Sequence, residues 1–361
     1  MNRLFLWLFF VAPTGLLAQG ASELAYWDAK AFRIMGRGVV EPDMERVDSM
    51  AYTRLPWSNR GDVRSELWDL GLHSAGIAVR FRSDSRAVGV RWMVRSGFGM
   101  NHMAATGVRG VDLYVLAGGE WRYAATGMPS SGRENEKVLI SGMDGNEKEF
   151  MLHLPLYDGV VKLEIGVDST AHIGAPLSSL PLADKPIVCY GTSITQGGCA
   201  SRPGMAYPAI MARCLQREVI NLGFSGNGRM DGVMGALMAQ IDAGAYFVDC
   251  LGNCTQEMVE QLGYDFIYNL LQARPAVPVY MVAFPMTPAT LFSAGEAQTI
   301  TGKNDAWREI YERLRNKGYQ NLHYILSDDL IGNDAEATVD GVHLTDLGFL
   351  RIAEVLAGRV K

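Results

Sequence analysis

Apolar and polar residues alternate with a period of two through the first half of the chain, from about Tyr26 to Gly174. Such alternation is typical of strands with one buried and one exposed face. Clusters of Gly, Asp, Ser and Asn separate the stretches, and no long segment has the 3.6-residue period of a helix. The clearest stretches are Gly76–Asp84, Ala87–Val94, Val111–Ala117 and Val161–Val167. The pattern predicts an antiparallel β-sandwich.

The pattern changes after Pro186, where short apolar runs alternate with longer helical stretches. The predicted strands are Ile187–Tyr190, Val219–Leu222, Ala245–Leu251, Val279–Ala283 and Leu322–Ile325. The predicted helices are Tyr207–Gln216, Met230–Asp242, Thr255–Ala273, Asp305–Lys317 and Thr345–Arg359. This order predicts a parallel sheet with helices on both faces. In such a fold ligands bind at the carboxyl ends of the strands.

A proline-containing segment separates the two halves, and the N-terminus resembles a secretory signal. Residues 176–185 contain Pro176 and Pro181 and are predicted to link a sandwich domain at 19–175 to an α/β domain at 186–361. At the N-terminus, Arg3 precedes an apolar run, and Ala18 offers a cleavage position. The alternative is a membrane anchor, but Pro13 interrupts a run that is already too short to span a bilayer. We therefore expect residues 1–18 to be a signal peptide and the mature chain to be exported to the periplasm or beyond, without stable membrane insertion.

Composition narrows the function further. The 361 residues are 48% hydrophobic and 20% charged, as in ordinary folded proteins. A net charge of −6 argues against a nucleic-acid partner, since phosphate binding needs a basic surface. Five cysteines with no CxxC pair indicate neither a zinc site nor a disulfide scaffold, although a bridge between Cys199 and Cys254 stays open. No HExxH motif is present, and no metal or cofactor is expected.

The stretch CYGTSITQGG places Ser193 directly after the first predicted strand of the second half. A phosphate-binding loop would need GxxxxGK[ST], but no Lys follows Gly197 or Gly198. A GxSxG nucleophile elbow would need Gly at the position of Thr195. Neither motif fits, so Ser193 is either a turn residue or a nucleophile of another kind.

Three further blocks follow at predicted strand ends. The stretch NLGFSGNG contains Gly223, DCLGNC contains Asn253, and DGVHL contains Asp340 and His343. Because Asp340 and His343 are three residues apart just before the last predicted helix, one turn can present both side chains on the same side. Each block is a weak signal alone, but the ordered set of four is specific.

The ordered Ser, Gly, Asn and His blocks resemble the SGNH/GDSL hydrolase superfamily over Pro186 to Lys361. GTSITQGGCASRPG, NLGFSGNG and DGVHLTDLGF resemble an exported bacterial branch of it, and GVDLYV resembles the GxDLY-type β domain that precedes that branch. The resemblance implies a three-layer α/β/α, flavodoxin-like hydrolase domain after a jelly-roll-like sandwich.

The resemblance also implies residue roles. Ser193 would be the nucleophile, His343 its base, and Asp340 the group that orients the imidazole. The oxyanion would be held by the N–H groups of Ser193 and Gly223 and by the Asn253 amide. In the third block Leu251 stands where the family usually has Gly, so Leu251 is expected to shape the site rather than to donate to it.

We therefore expect an exported serine esterase acting on small acyl esters, acetyl first, on a carbohydrate or small molecule. A lipid or thioester substrate, acyl transfer to a sugar, and a glycan-binding protein with an inactive hydrolase scaffold stay open. Arg202 and Tyr207 either reach the pocket rim or are a solvated Arg and a core Tyr. The other histidines are expected to be surface or core residues, and the oligomeric state is not indicated.

Overall fold

The computed structural model describes residues 23–42, 44, 48–177, 185–328 and 330–360. The predicted signal peptide and most of the predicted linker lie outside the described residues. No helix in the described ranges is long and apolar enough to cross a membrane.

The first half is built from antiparallel strands, as the alternation predicts. The strands are β1 (Leu24–Asp28), β2 (Arg33–Met35), β3 (Ala78–Ser83), β4 (Val88–Val94), β5 (Val111–Ala117), β6 (Glu120–Gly127), β7 (Glu134–Ile140), β8 (Lys148–His153), β9 (Val160–Asp168) and β10 (Ile173–Gly174). Two short helices interrupt them, α1 (Ser65–Gly71) and α2 (Ala105–Arg109). The two outer strands β6 and β7 are largely exposed, which explains why their apolar alternation is weak.

These strands form two sheets that enclose a core. One sheet has the order β1-β9-β4-β7, and the other has β10-β3-β8-β5-β6 with β2 paired to β3. Between them lie buried side chains from both sheets, including Trp92 of β4 in the first sheet and Leu113 of β5 in the second. Phe81 and Phe150 are paired across β3 and β8, and their rings stack with centroids 5.0 Å apart. The predicted sandwich is therefore present, and its apolar positions face inward.

The second half is a parallel sheet with helices. Its strands are β11 (Ile187–Gly191), β12 (Val219–Gly223), β13 (Ala245–Asp249), β14 (Val279–Val282) and β15 (Leu322–Ile325). Its helices are α3 (Ser193–Gln196), α4 (Tyr207–Leu215), α5 (Gly232–Gln240), α6 (Gln256–Ala273), α7 (Ala294–Asn316) and α8 (Asp346–Ala357). The strand order β12-β11-β13-β14-β15 is the flavodoxin-like order. The chain adds one strand on one side of β11 and then the remaining strands on its other side, so β11 borders the topological switch point.

The predicted ends in the second half lie within two residues of the observed ones, except at the start of α7. Helix α7 begins at Ala294 rather than Asp305, because the Ser293 side chain accepts a hydrogen bond from the Glu296 N–H and caps an earlier turn. Strand β13 ends at Asp249, and Leu251–Asn253 forms a 3₁₀ turn that carries Asn253 beyond the sheet edge.

The two halves share a continuous apolar core. The cluster beneath the parallel sheet includes Leu55, Trp68, Val108 and Leu156 from the first half. Such burial stabilises the pair of domains by about 25 cal/mol per Å² of apolar surface removed from water. The first half therefore packs on the second as part of one body.

Candidate active site

Ser193 lies at the point where the sheet order reverses. Strand β11 ends at Gly191, and the Thr192 hydroxyl caps α3 by accepting from the Ile194 N–H at 3.2 Å. Gly197 ends the four-residue helix in the left-handed region, with φ +110°. This tight strand–turn–helix geometry holds Ser193 in the first helical turn, where a backbone N–H has no intrahelical acceptor. Ser193 is mostly buried, with 7% of its surface exposed.

His343 and Asp340 are held by one turn, as their spacing predicts. Asp340 Oδ1 accepts from the N–H groups of Val342 at 3.1 Å and His343 at 2.8 Å. Gly341 supplies the positive φ of +91° that the turn requires. The other carboxylate oxygen, Oδ2, lies 2.7 Å from His343 Nδ1. The turn therefore fixes the carboxylate through the backbone and the imidazole through the carboxylate.

A hydrogen-bonded relay joins the three side chains. Ser193 Oγ lies 2.9 Å from His343 Nε2, and the opposite ring nitrogen faces Asp340. Burial raises the pKa of the Asp340 carboxyl, but the hydrogen bonds from His343 and the Val342 N–H outweigh it and lower that pKa to about 2. Asp340 is therefore a carboxylate at neutral pH, which keeps a proton on Nδ1 and leaves Nε2 free to accept one from serine.

Gly223 does not fit the expected role of an oxyanion donor. Its N–H donates to Asn221 Oδ1 at 2.9 Å, so it is already engaged within the loop. A Cβ at this position would lie 2.1 Å from the Gln196 backbone nitrogen. Glycine is therefore required at position 223, because the end of β12 packs directly on α3. The Gly223 N–H is already bonded to Asn221 and is not available to a ligand.

Gly226, in the same NLGFSGNG block, has the property expected of Gly223. It adopts φ +69°, and a Cβ there would meet no atom within 4 Å. The Gly226 N–H donates no hydrogen bond to any of the described residues. The sequence shows three glycines in this block as candidate donors. Only the hydrogen bonds of the structure show which of them has a free N–H.

The side chain of Asn253 is oriented by Gly228 of the NLGFSGNG block. Its Oδ1 accepts from the Gly228 N–H at 3.2 Å, which turns the amide nitrogen away from Gly228. Leu251, expected to shape the site, is buried in the core with 1% exposure. Its carbonyl accepts from Lys303 Nζ at 3.2 Å, so it contributes to packing behind the site.

Residues of the first half contact the Ser193–Gln196 segment. The Tyr157 hydroxyl donates to the Ser193 carbonyl at 3.3 Å. Gln196 Nε2 donates to the Leu156 carbonyl at 2.9 Å and lies 3.1 Å from His73 Nδ1. Sequence patterns gave no sign of these contacts, because the partners are more than thirty residues apart in the chain.

Arg202 lies in the interface between the halves rather than at the pocket rim. Its guanidinium pairs with buried Asp112 at 2.7 Å and donates to the Tyr114 hydroxyl at 2.7 Å. The guanidinium also lies 4.0 Å from the centre of the Tyr123 ring. Asp112 and Tyr114 are the acid and the aromatic residue of GVDLYV. That stretch therefore anchors the loop that follows the nucleophile.

Tyr207 is a core residue, one of the two alternatives for it. It is fully buried, and its hydroxyl donates to Thr195 Oγ1 at 3.0 Å and to Asp249 Oδ2 at 3.2 Å. Burial raises the pKa of Asp249 to about 7, although the hydrogen bonds from Tyr207 and Thr195 oppose the rise. The three side chains form a polar network beneath α3.

The sequence predicts no role at the site for two residues that lie near the relay, His102 and Cys199. The ring of His102 lies 5.6 Å from the ring of His343, and Cys199 lies beside both. All five cysteines are free thiols, so the bridge that the sequence left open between Cys199 and Cys254 is not formed.

A serine, a histidine and an aspartate joined in this order, at the switch point of a parallel sheet, define the serine hydrolase class. The chain belongs to the GDSL-like Lipase/Acylhydrolase family, whose model matches residues 184–361. The model described as the N-terminus of Esterase_SGNH_hydro-type matches residues 24–173. The protein is therefore an esterase of this family, with the sandwich and α/β parts that its sequence predicts.

Solved structures agree with this assignment over both halves. A protein described as a GDSL-like lipase from Bacteroides ovatus ATCC 8483 is 35% identical, with a TM-score of 0.86, 92% of this chain covered and 95% of the other. A salicylyl-acyltransferase, SsfX3, from a tetracycline biosynthetic pathway is 17% identical, with a TM-score of 0.75 and the same coverage. A family two carbohydrate esterase from Clostridium thermocellum, in complex with cellohexaose, is 14% identical, with a TM-score of 0.58, 80% of this chain and 92% of the other covered. No curated protein matches the chain.

Proposed function

We propose that the protein is an exported serine esterase that removes small acyl groups, acetyl first, from carbohydrate esters. The observation that carries the proposal is the relay from Ser193 Oγ through His343 to Asp340, with 2.9 and 2.7 Å contacts. Export rests on the signal-like residues 1–18, which lie outside the described residues.

Hydrolysis proceeds in two acyl-transfer steps. His343 Nε2 takes the Ser193 proton as Oγ attacks the ester carbonyl, and the resulting imidazolium is stabilised by Asp340. The imidazolium then gives its proton to the leaving alcohol oxygen, which leaves an acyl-Ser193 ester. Water, deprotonated by the same imidazole, attacks this ester and releases the carboxylic acid. Serine regains its proton, so the cycle closes without an outside reagent.

The developing oxyanion needs donors that are in place before reaction. We propose the Ser193 N–H, the Gly226 N–H and the Asn253 amide. The free N–H of Gly226 and the orientation of Asn253 by Gly228 support this set. Gly223, whose N–H is taken by Asn221, instead sets the distance between β12 and α3.

The sandwich half is proposed to position the catalytic loops and to form one wall of the substrate groove. Its contacts to Ser193 and Gln196, and the pairing of Asp112 with Arg202, support the positioning role. A segment beginning near Ala183 would lose these contacts and expose the shared core. We expect it to be inactive on polysaccharide, and full activity would contradict the proposal.

The carbohydrate substrate is supported by the fold of the family two carbohydrate esterase and by that of an acetyl xylan esterase from the rumen bacterium Butyrivibrio proteoclasticus, both of low identity. The first experiment is hydrolysis of p-nitrophenyl acetate and of acetylated plant glycans by protein lacking residues 1–18. Ser193→Ala and His343→Ala are compared with Ser169→Ala and His172→Ala, which replace exposed residues of the same types in the first half.

Loss of at least about 10⁴-fold in the first two variants, with the controls active, is the expected result. Undiminished hydrolysis by folded Ser193→Ala would overturn the mechanism. A folded parent inactive on every ester would favour the glycan-binding alternative, which a glycan-binding screen would then test. Adding an acceptor alcohol distinguishes hydrolysis, which yields free acid, from acyl transfer, which yields a new ester.

A further inference from the structure

Three side chains with metal-binding atoms meet beside the relay. His102 precedes α2 in the first half, Cys199 follows α3, and His343 precedes α8. One ligand atom from each lies within 4.8 Å of the others. Because the three come from distant segments, no spacing in the sequence indicated a metal site.

The ligand atoms that a metal needs are available. Cys199 is a free, mostly buried thiol. His343 Nδ1 bonds Asp340, and His102 Nδ1 lies 3.0 Å from Asn101 Oδ1, so the lone pair of each ring is on Nε2. In His343 this nitrogen also lies 2.9 Å from Ser193 Oγ, which a metal ion would displace. A carboxylate on the far nitrogen of a histidine is the usual support of a metal-binding imidazole.

We propose that His102, Cys199 and His343 form a binding site for a thiophilic divalent cation, Zn²⁺, and that its binding reversibly blocks ester hydrolysis. Two imidazoles and one thiolate suit zinc, whereas Mg²⁺ and Ca²⁺ prefer oxygen ligands. Bond lengths of about 2.1 Å to nitrogen and 2.3 Å to sulfur put tetrahedral zinc ligands roughly 3.5 Å apart. The cluster therefore closes on the ion through small side-chain rotations, and water completes the fourth position.

The inhibition follows because ester hydrolysis and metal binding use the same nitrogen of His343. Its Nε2 lies 2.9 Å from Ser193 Oγ, and the lone pair that would accept the serine proton is the one that would bind zinc. Binding converts Cys199 to its thiolate, and the displaced proton passes to the buffer. The metal site stands independently of the proposed esterase activity, whereas the inhibition rests on it.

The site is tested first without any activity measurement. The metal-free protein is titrated with Co²⁺, and thiolate ligation is followed by its near-ultraviolet charge-transfer absorption. We expect saturable absorption at one equivalent, displaced by Zn²⁺ and abolished in Cys199→Ser. Cys214→Ser, which replaces an exposed thiol, is the matched control and keeps the band. A band that survives in Cys199→Ser, or no band in the parent, would overturn the site.

The inhibition is then tested on p-nitrophenyl acetate hydrolysis with Zn²⁺ alone. We expect His102→Ala and Cys199→Ser each to keep most of the metal-free rate and to raise the half-inhibiting Zn²⁺ concentration at least about 10-fold. His172→Ala and Cys214→Ser should behave as the parent does. Equal inhibition of all variants, or cobalt binding without zinc inhibition, would overturn the block. If the parent hydrolyses no ester, the proposed function fails while the cobalt titration still decides the metal site.

Discussion

The guanidinium of Arg54, in the first half, donates a hydrogen bond to the carbonyl of Gly223, at the end of β12 in the second half. The same buried group donates to the Leu70 carbonyl at 2.5 Å and the His73 carbonyl at 3.1 Å. It also lies 4.6 Å from the centre of the Phe224 ring. Burial lowers the pKa of this guanidinium. One cation thus connects the sandwich to the loop that packs on α3.

Replacing Arg54 should therefore reduce both stability and turnover. Arg54→Met keeps the apolar volume but removes the donor from the Gly223 and His73 carbonyls, at a cost of about 1–3 kcal/mol for each group left unpaired. The Leu70 carbonyl keeps the His73 N–H, 3.1 Å away. Urea unfolding and kcat on p-nitrophenyl acetate measure the two effects. Arg54→Lys, which reaches fewer carbonyls, should fall between parent and Arg54→Met. A fully stable and active Arg54→Met protein would show that the contact is dispensable.

Asn253→Ala should lower kcat by about 10²–10³-fold, with little change in KM, because in the proposed mechanism the amide donates to the oxyanion and not to the bound ester. Asn253→Asp keeps the oxygen that accepts from Gly228 but removes the donor, so it should lose at least as much. Asn253→Asp, which keeps this contact, should unfold in urea as the parent does. An active Asn253→Asp protein would exclude this donor.

Gly223→Ala should behave differently, since its added Cβ would lie 2.1 Å from a backbone nitrogen. We expect a loss of stability of about 1–3 kcal/mol from the overpacked contact, measured by urea unfolding. If Gly223→Ala were as stable as the parent and had lost only kcat, Gly223 would be restored as an oxyanion donor.

Asp340→Asn should reduce kcat by about 10³–10⁴-fold, because the neutral amide no longer fixes the imidazole tautomer.

The folded-state pKa of Asp340, about 2, lies below the ordinary value, so the stability that this carboxylate provides is present above about pH 4. It is lost as the pH falls toward 2. The free energy of unfolding, measured from pH 5 down to about 2, should show this loss in the parent and not in Asp340→Asn. Identical curves would contradict it.

Asp249 should give the opposite pH dependence. Its folded-state pKa of about 7 exceeds the ordinary value of about 3.9, so the folded protein holds an extra proton between these pH values. Stability therefore falls as the pH rises through this window and levels off above it. Asp249→Asn should remove this part of the fall, by up to about 3 kcal/mol between pH 5 and pH 8, in thermal or urea unfolding. An unchanged slope would contradict the buried, protonated carboxyl.

The sequence was most informative where the signal is local. Period-two alternation found four sandwich strands with a buried face, such as Val111–Ala117, whose bounds agree with β5. It did not find β8, whose last four residues are buried without alternation. It missed β7, because an outer strand with little burial needs no apolar alternation. The helical pattern predicts only the part of α7 from Asp305 onward, because Gly295 and Gly302 weaken the pattern before it. The capping pair Ser293 and Glu296 marks the true start of the helix.

The sequence by itself determined the two architectures and the placement of Ser193, Asn253, Asp340 and His343 at strand ends and turns, since each depends on residues close in the chain. Only the tertiary structure decided which glycine of NLGFSGNG has a free N–H, because Asn221 and Gln196 make that choice. It also decided that Arg54 supports Gly223 and that His102 meets Cys199 and His343. Such contacts join residues far apart in the chain, and their distances depend on how the two halves pack, which no local pattern encodes.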